Sequence, residues 1–128
     1  MEVKNFTFKE LIKTNTGLSN IPTTIEEVQN IVRLSEFLQE IRNHLGKPIT
    51  IDSAFRTKEV NEKVGGVSTS DHLLGLAADI KSSDMKTLYE ILKSYLKDEI
   101  GQLIIYPTFY HVSINRVKHK GELLDKRK

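Results

Sequence analysis

The chain has no cysteine among its 128 residues. That excludes disulfide staples, a thiolate nucleophile and a cysteine-built structural zinc site. No apolar stretch approaches the roughly 20 residues needed to cross a bilayer. Met1-Glu2-Val3-Lys4-Asn5 lacks the basic-then-apolar pattern of a secretory signal. The expectation is a protein made in the cytoplasm, without membrane insertion, that acts after something else releases it. There is no internal repeat and no low-complexity segment. Neither sign of charge dominates: 19 Lys and Arg stand against 17 Asp and Glu, a net charge of +2. That excess is too small to argue for nucleic acid as a partner.

What is present reads as an ordinary globular composition, with 38% hydrophobic and 28% charged residues. The length suits one domain, able to bury roughly two-thirds of its unfolded surface. A single domain is expected over residues 1–115, followed by a basic, flexible tail over 116–128 where Lys118, Lys120, Lys126, Arg127 and Lys128 cluster. The tail reads as a solvated terminus, or as a weak attraction for an anionic polymer.

Phe6 to Ile12 reads as a docking turn or short helix, and Thr14 to Pro22 as a loop. Thr23 with Glu26 fits a capping box. It opens a helix whose apolar positions are Ile25, Val28, Ile31, Val32, Leu38, Ile41 and Leu45, stopped by Gly46 and Pro48. Ile49 to Asp52 alternates as a strand. Thr57 to Val64 predicts a short helix closed by Gly65-Gly66, and Ala77 to Lys81 a second strand. Ser83 or Asp84 caps a further helix with Met85, Leu88, Ile91, Leu92, Tyr95 and Leu96 inward. Gln102–Tyr106 and Phe109–Ile114, parted by Pro107-Thr108, predict a β-hairpin. Helices and strands mix without βαβ alternation, so the fold class is α+β with a largely antiparallel sheet.

Two of the four histidines stand in informative settings. His72 lies in a polar loop before Gly75, and Asp79 sits inside the apolar run Leu76-Ala77-Ala78-Asp79-Ile80. A carboxylate there is expensive without a compensating cation or donor. Period-two alternation puts His111 on one strand face with Phe109 and Ser113. Two imidazoles and a carboxylate suit zinc, and three protein ligands leave a fourth position open. On spacing alone a second reading stands beside this one: a loop histidine, a capping aspartate and a satisfied strand histidine.

Ser53-Ala54-Phe55-Arg56, Val64-Gly65-Gly66-Val67, the run from Ser70 to Asp79 (S-x-H-x-x-G-x-A-x-D) and His111-Val112-Ser113 resemble the M15 zinc D-Ala-D-Ala carboxypeptidases. The likeness is narrowest to short single-domain phage and bacterial members, in order from about Thr7 to Ser113. It implies the hedgehog/D,D-peptidase fold, one zinc held by His72, Asp79 and His111, and cleavage near D-alanine in peptidoglycan stem peptides. Arg56 matches the arginine that steadies the developing oxyanion, and Ser70 a serine near the bound peptide. Zinc would lower the pKa of a water to about 7.

The sequence also departs from that pattern. Relatives carry an acidic general base three positions before the last histidine, or before the Gln-Leu-Ile run; here those positions are Thr108 and Gly101. Asp71, Asp98, Glu99, Tyr106 and Tyr110 lie near in sequence, and the base stays unassigned among them. Two functions follow. The first is a monomeric cell-wall peptidase, of the kind a phage uses for lysis or entry, with peptidoglycan peptide as its partner. The second is a metal-holding, wall-binding module that has lost turnover.

Overall fold

In a computed structural model, which describes residues 2–127, the chain builds one five-stranded mixed sheet packed against helices. The helices are α1 (Phe8–Leu11), α2 (Ile25–Leu45), α3 (Lys58–Lys63) and α4 (Met85–Ser94), with a 3-10 helix at Asp71–Leu74. The strands are β1 (Ile49–Ser53), β2 (Ala77–Ser82), β3 (Gln102–Ile105), β4 (Tyr110–Ser113) and β5 (Glu122–Asp125), in the order β1-β2-β4-β3-β5. All pairings are antiparallel except β3 with β5. The α+β class and the β3–β4 hairpin agree with the sequence pattern.

Helix α2 begins one residue later than the Thr23–Glu26 pair suggested. Thr24 Oγ1 accepts from the N–H of Glu27 at 3.1 Å, while the Glu27 carboxylate accepts from the N–H groups of Thr23 and Thr24 at 2.9 and 3.3 Å. One carboxylate thus satisfies two orphan donors, which the earlier frame would not allow. Gly46, at φ 70°, ends the helix by donating to the Arg42 carbonyl. The buried stripe is Ile31, Leu34, Leu38, Ile41 and Leu45, joined by Phe37. Ile25, Val28 and Val32, expected inside, are exposed, Ile25 at 77%. They lie about 130° around the helix from the 31-34-38-41-45 stripe, so the same periodicity holds with a shifted face.

The sheet's two faces separate core from site. Ile49, Ile51, Ala78, Ile80, Leu103, Ile105, Tyr110 and Val112 join the apolar stripe of α2 and Leu88 and Leu92 of α4 in one buried cluster. The opposite face carries a row that crosses every strand: Ser53 pairs with Asp79, Asp79 with His111, His111 with Ile104, and Ile104 with Leu124. Ser53 reaches that row through an irregularity after Ile51, where β1 spends one extra residue.

Glu122–Asp125, within the stretch 116–128 expected as a flexible basic tail, form β5, while Lys128 lies outside the described residues. Gly121 and Glu122 donate to the Gly101 carbonyl at 2.8 Å, and the pairing continues to Lys126, whose N–H reaches the Ile105 carbonyl at 2.7 Å. Flanking lysines hid a strand whose two ends, Glu122 and Asp125, are exposed and charged, as an edge strand's often are. The frame of α2 is tested by truncation: Leu38→Ala should cost about 2–5 kcal/mol and Ile25→Ala within about 0.5 kcal/mol, compared by urea midpoints.

Candidate metal centre

His72 is delivered by the 3-10 helix rather than by a polar loop. Ser70 caps that helix, its Oγ accepting from the His72 N–H at 3.1 Å. Gly75 stops it at φ 77°, and a Cβ there would lie 2.9 Å from Ile31 Cγ1, so glycine also permits the close approach to α2. His72 is left 2% exposed. Its Nδ1–H donates to the Ala54 carbonyl at 2.5 Å, which fixes the tautomer and turns the Nε2 lone pair toward Asp79.

Asp79 and His111 are direct cross-strand partners on β2 and β4. Asp79 Oδ1 lies 2.8 Å from His111 Nδ1 and 3.3 Å from His72 Nε2, and the two imidazole rings stand 5.1 Å apart, edge to face. Burial pushes the Asp79 carboxyl upward, but hydrogen bonds and charge from His111 and His72 outweigh it, so it is held far below the ordinary carboxylate range.

Arg56 completes the group. Its Nη2 lies 3.4 Å from Asp79 Oδ2, its Nε donates to Ser53 Oγ at 3.0 Å and its Nη1 to Asn61 Oδ1 at 3.2 Å. Burial lowers the guanidinium's pKa and Asp79 opposes that shift. Asn61 was not singled out from sequence, although its neighbourhood was: a Cβ on Gly66 would fall 2.1 Å from Asn61 Oδ1, so the Gly65-Gly66 pair makes room for the side chain that holds Arg56. Asn20 was also missed. Buried, it donates to the carbonyls of Ile12 and Phe55 and accepts from the N–H of Thr57, pinning the Arg56 loop from both sides.

These residues open onto a cleft of about 600 Å³, with Ser70, Tyr106, Phe109, Lys118, His119 and Lys126 on its walls. The carboxylates nearby in sequence distribute differently. Asp98 and Glu99 line another depression with Arg33 and Arg116. Tyr110 faces the core side and donates its hydroxyl to the Met85 carbonyl. Asp71 lines the cleft but is committed: it accepts from Ser113 Oγ at 2.6 Å and Asn115 Nδ2 at 2.9 Å, and His119 Nε2 lies 3.0 Å away. Burial raises its pKa, yet Ser113, Asn115, Lys118 and His119 together leave it lowered. The other His119 nitrogen meets Glu122 at 2.5 Å, so neither nitrogen is open to a water. Among the described residues, Asp71 and Asp79 are the only acids lining the cleft. Thr108 lies in the exposed β3–β4 turn, outside it.

The donor set fits a metal. One ligand atom from each of His72, Asp79 and His111 lies within 4.8 Å of the others. Donors about 2.0–2.1 Å from a tetrahedral zinc stand roughly 3.4 Å apart, and the spacings from Asp79 Oδ1 to the two ring nitrogens are 2.8 and 3.3 Å. The profile described as Peptidase M15 matches residues 4–113, and the chain belongs to that family. Over 79 residues it is 37% identical to the zinc D-Ala-D-Ala carboxypeptidase of Streptomyces albus G, a match covering 59% of this chain and 31% of that protein. The chain therefore spans about a third of the length of the curated relative it matches.

Zinc at a hundredfold excess over its dissociation constant should stabilise the fold by about 2.7 kcal/mol, or about 10 °C in Tm for this size. Calorimetry with zinc and with chelator measures the shift, which His111→Ala should remove. Gly101 gives a separate expectation. A Cβ there would lie 2.6 Å from the Asn115 carbonyl oxygen and 3.0 Å from that of His119. Gly101→Ala should therefore lower the urea midpoint by an amount equivalent to about 1–3 kcal/mol.

Proposed function

We propose that the protein is a zinc peptidase that hydrolyses peptide bonds next to D-alanine in peptidoglycan stem peptides, on the hedgehog/D,D-peptidase fold. The observation that carries this reading is the convergence of His72, Asp79 and His111 beneath a guanidinium held at three points, in a chain of the M15 family. The name of the Streptomyces relative supplies the zinc and the D-alanine.

His72, Asp79 and His111 would hold the zinc. When bound, zinc supplies a Lewis acid for the scissile carbonyl and a water acidified toward neutrality. The protein's own residues do the rest. Ala54 holds His72 in one tautomer. Arg56 presents fixed positive charge where the carbonyl oxygen becomes an oxyanion, and because Ser53 and Asn61 hold it, no reorganisation is needed as charge develops. Ser70 accepts from the His72 N–H and keeps its own O–H to donate to bound peptide.

A second reading, a wall-binding module that holds metal without turnover, is favoured by one feature: no unpaired carboxylate lines the cleft among the described residues. Zinc-loaded protein should release D-alanine from N-acyl-D-alanyl-D-alanine peptides or cut purified wall peptides. His111→Ala should abolish this, and Arg56→Ala should lower kcat about 100-fold or more with zinc retained. Wall binding with zinc bound and no hydrolysis from acid to alkaline pH would replace the peptidase reading with the second.

A further inference from the structure

The basic side chains of the cleft are not equivalent. Arg56 is tied to Asp79, Ser53 and Asn61. Lys118 donates to the Thr69 carbonyl and lies 3.8 Å from Asp71, and His119 sits between Asp71 and Glu122. Lys126 lines the same cleft, and among the described residues its ammonium has no partner. The acids of the cleft are both answered internally, Asp79 by imidazoles and guanidinium, Asp71 by Ser113, Asn115, Lys118 and His119. The remaining charge is a single ammonium facing open space, and its complement is an anion brought by the ligand.

The register places that ammonium. Leu124 ends the row through Asp79, His111 and Ile104, and the residue two further on the same face of β5 is Lys126. The equivalent steps from His111 and Ile104 lead to Phe109 and Tyr106, whose rings stack with centroids 4.7 Å apart at 16°. A second row, Phe109, Tyr106 and Lys126, therefore runs beside the metal row about 7 Å away. The Lys126 N–H bonded to Ile105 fixes the backbone that carries it. A free carboxylate at a peptide's end lies about one residue, ~3.8 Å, beyond the preceding carbonyl. β5 also lies two strands, about 10 Å, across the sheet from β4, so Lys126 lines the cleft from beyond the Tyr106–Phe109 pair, which offers an apolar surface to a small side chain between.

We infer that Lys126, beside the stacked Tyr106–Phe109 pair, is the subsite for the free C-terminal carboxylate of a bound peptide, so that the cleft selects chain ends over chain interiors. This rests on the peptidase reading for its substrate, but the subsite itself is a matter of binding. It gives the C-terminal strand a part in specificity: the edge that closes the sheet also carries the charge that reads the ligand.

The test is equilibrium binding of N-acetyl-D-alanine and of its C-terminal amide to the zinc-loaded full chain, with kcat/KM for N-acetyl-D-alanyl-D-alanine and its amide measured alongside. The acid should bind more tightly than the amide. Lys126→Ala should weaken acid binding about three- to tenfold and narrow the gap to the amide. Lys126→Arg should restore the preference and Lys126→Glu reverse it, with zinc content unchanged in all three. In kinetics the loss should fall on KM for the acid. Equal weakening of acid and amide, or none in either, would overturn the subsite even if hydrolysis is intact. A Lys126-dependent preference for the acid in a protein that hydrolyses nothing would uphold the subsite and overturn the peptidase reading.

Discussion

Asp79 is a carboxylate placed where water scarcely reaches, and much of the site's architecture follows from how that charge is answered. Taking an ion out of water costs several kcal/mol even after relaxation. Here two imidazoles and a guanidinium converge on one carboxyl group and hold it ionised. Each of those partners is itself held. The Ala54 carbonyl orients His72, strand pairing orients His111, and Ser53 and Asn61 orient Arg56. An isolated anion at this position would be a liability. Surrounded by two ring nitrogens and a fixed cation, it becomes the centre of a coordination set.

The sheet makes that convergence possible through parity. Side chains alternate between faces, so Ala78 and Ile80 enter the core while Asp79 between them does not. Slipping β2 against β4 by one residue would turn His111 away and send an apolar side chain into the site. The apolar contacts of Ile80, Val112, Leu103, Leu88 and Leu92 thus enforce the metal row as well as the core. Burial on one face sets chemistry on the other, and the extra residue in β1 brings Ser53 into line with both.

Much of this was legible in the sequence where local pattern and chemistry coincide. The β-branched alternation gave β1, and the Pro107-Thr108 break gave the hairpin. The carboxylate in an apolar run and the histidine on an alternating strand marked two members of the row. Their convergence with His72 is tertiary, and spacing alone left it open until the family resemblance narrowed it. The face of α2 was misjudged because hydrophobic residues surround much of that helix, and only packing decides which stripe is covered. Asn61 and Asn20 were invisible because an amide that satisfies carbonyls far away in sequence leaves no periodic trace. Strand β5 was hidden by the lysines that flank it, because a short run with charged ends on an exposed edge reads as a solvated tail.

The C-terminal segment links the remaining peculiarities. Gly101 cannot carry a side chain, because the backbone at Asn115 and His119 passes too close. An acidic residue at that position and the observed path of the chain are therefore mutually exclusive. The same path brings Asn115 and His119 onto Asp71, next to His72 in sequence, and Glu122 onto His119. It then lays β5 along β3. Glycine at 101 is thus bound up with a strand that clamps the base of the His72 helix and extends the cleft's wall. The backbone at Asn115 and His119 leaves no room for an acidic side chain at the start of β3, so a carboxylate acting in the cleft has to come from another element.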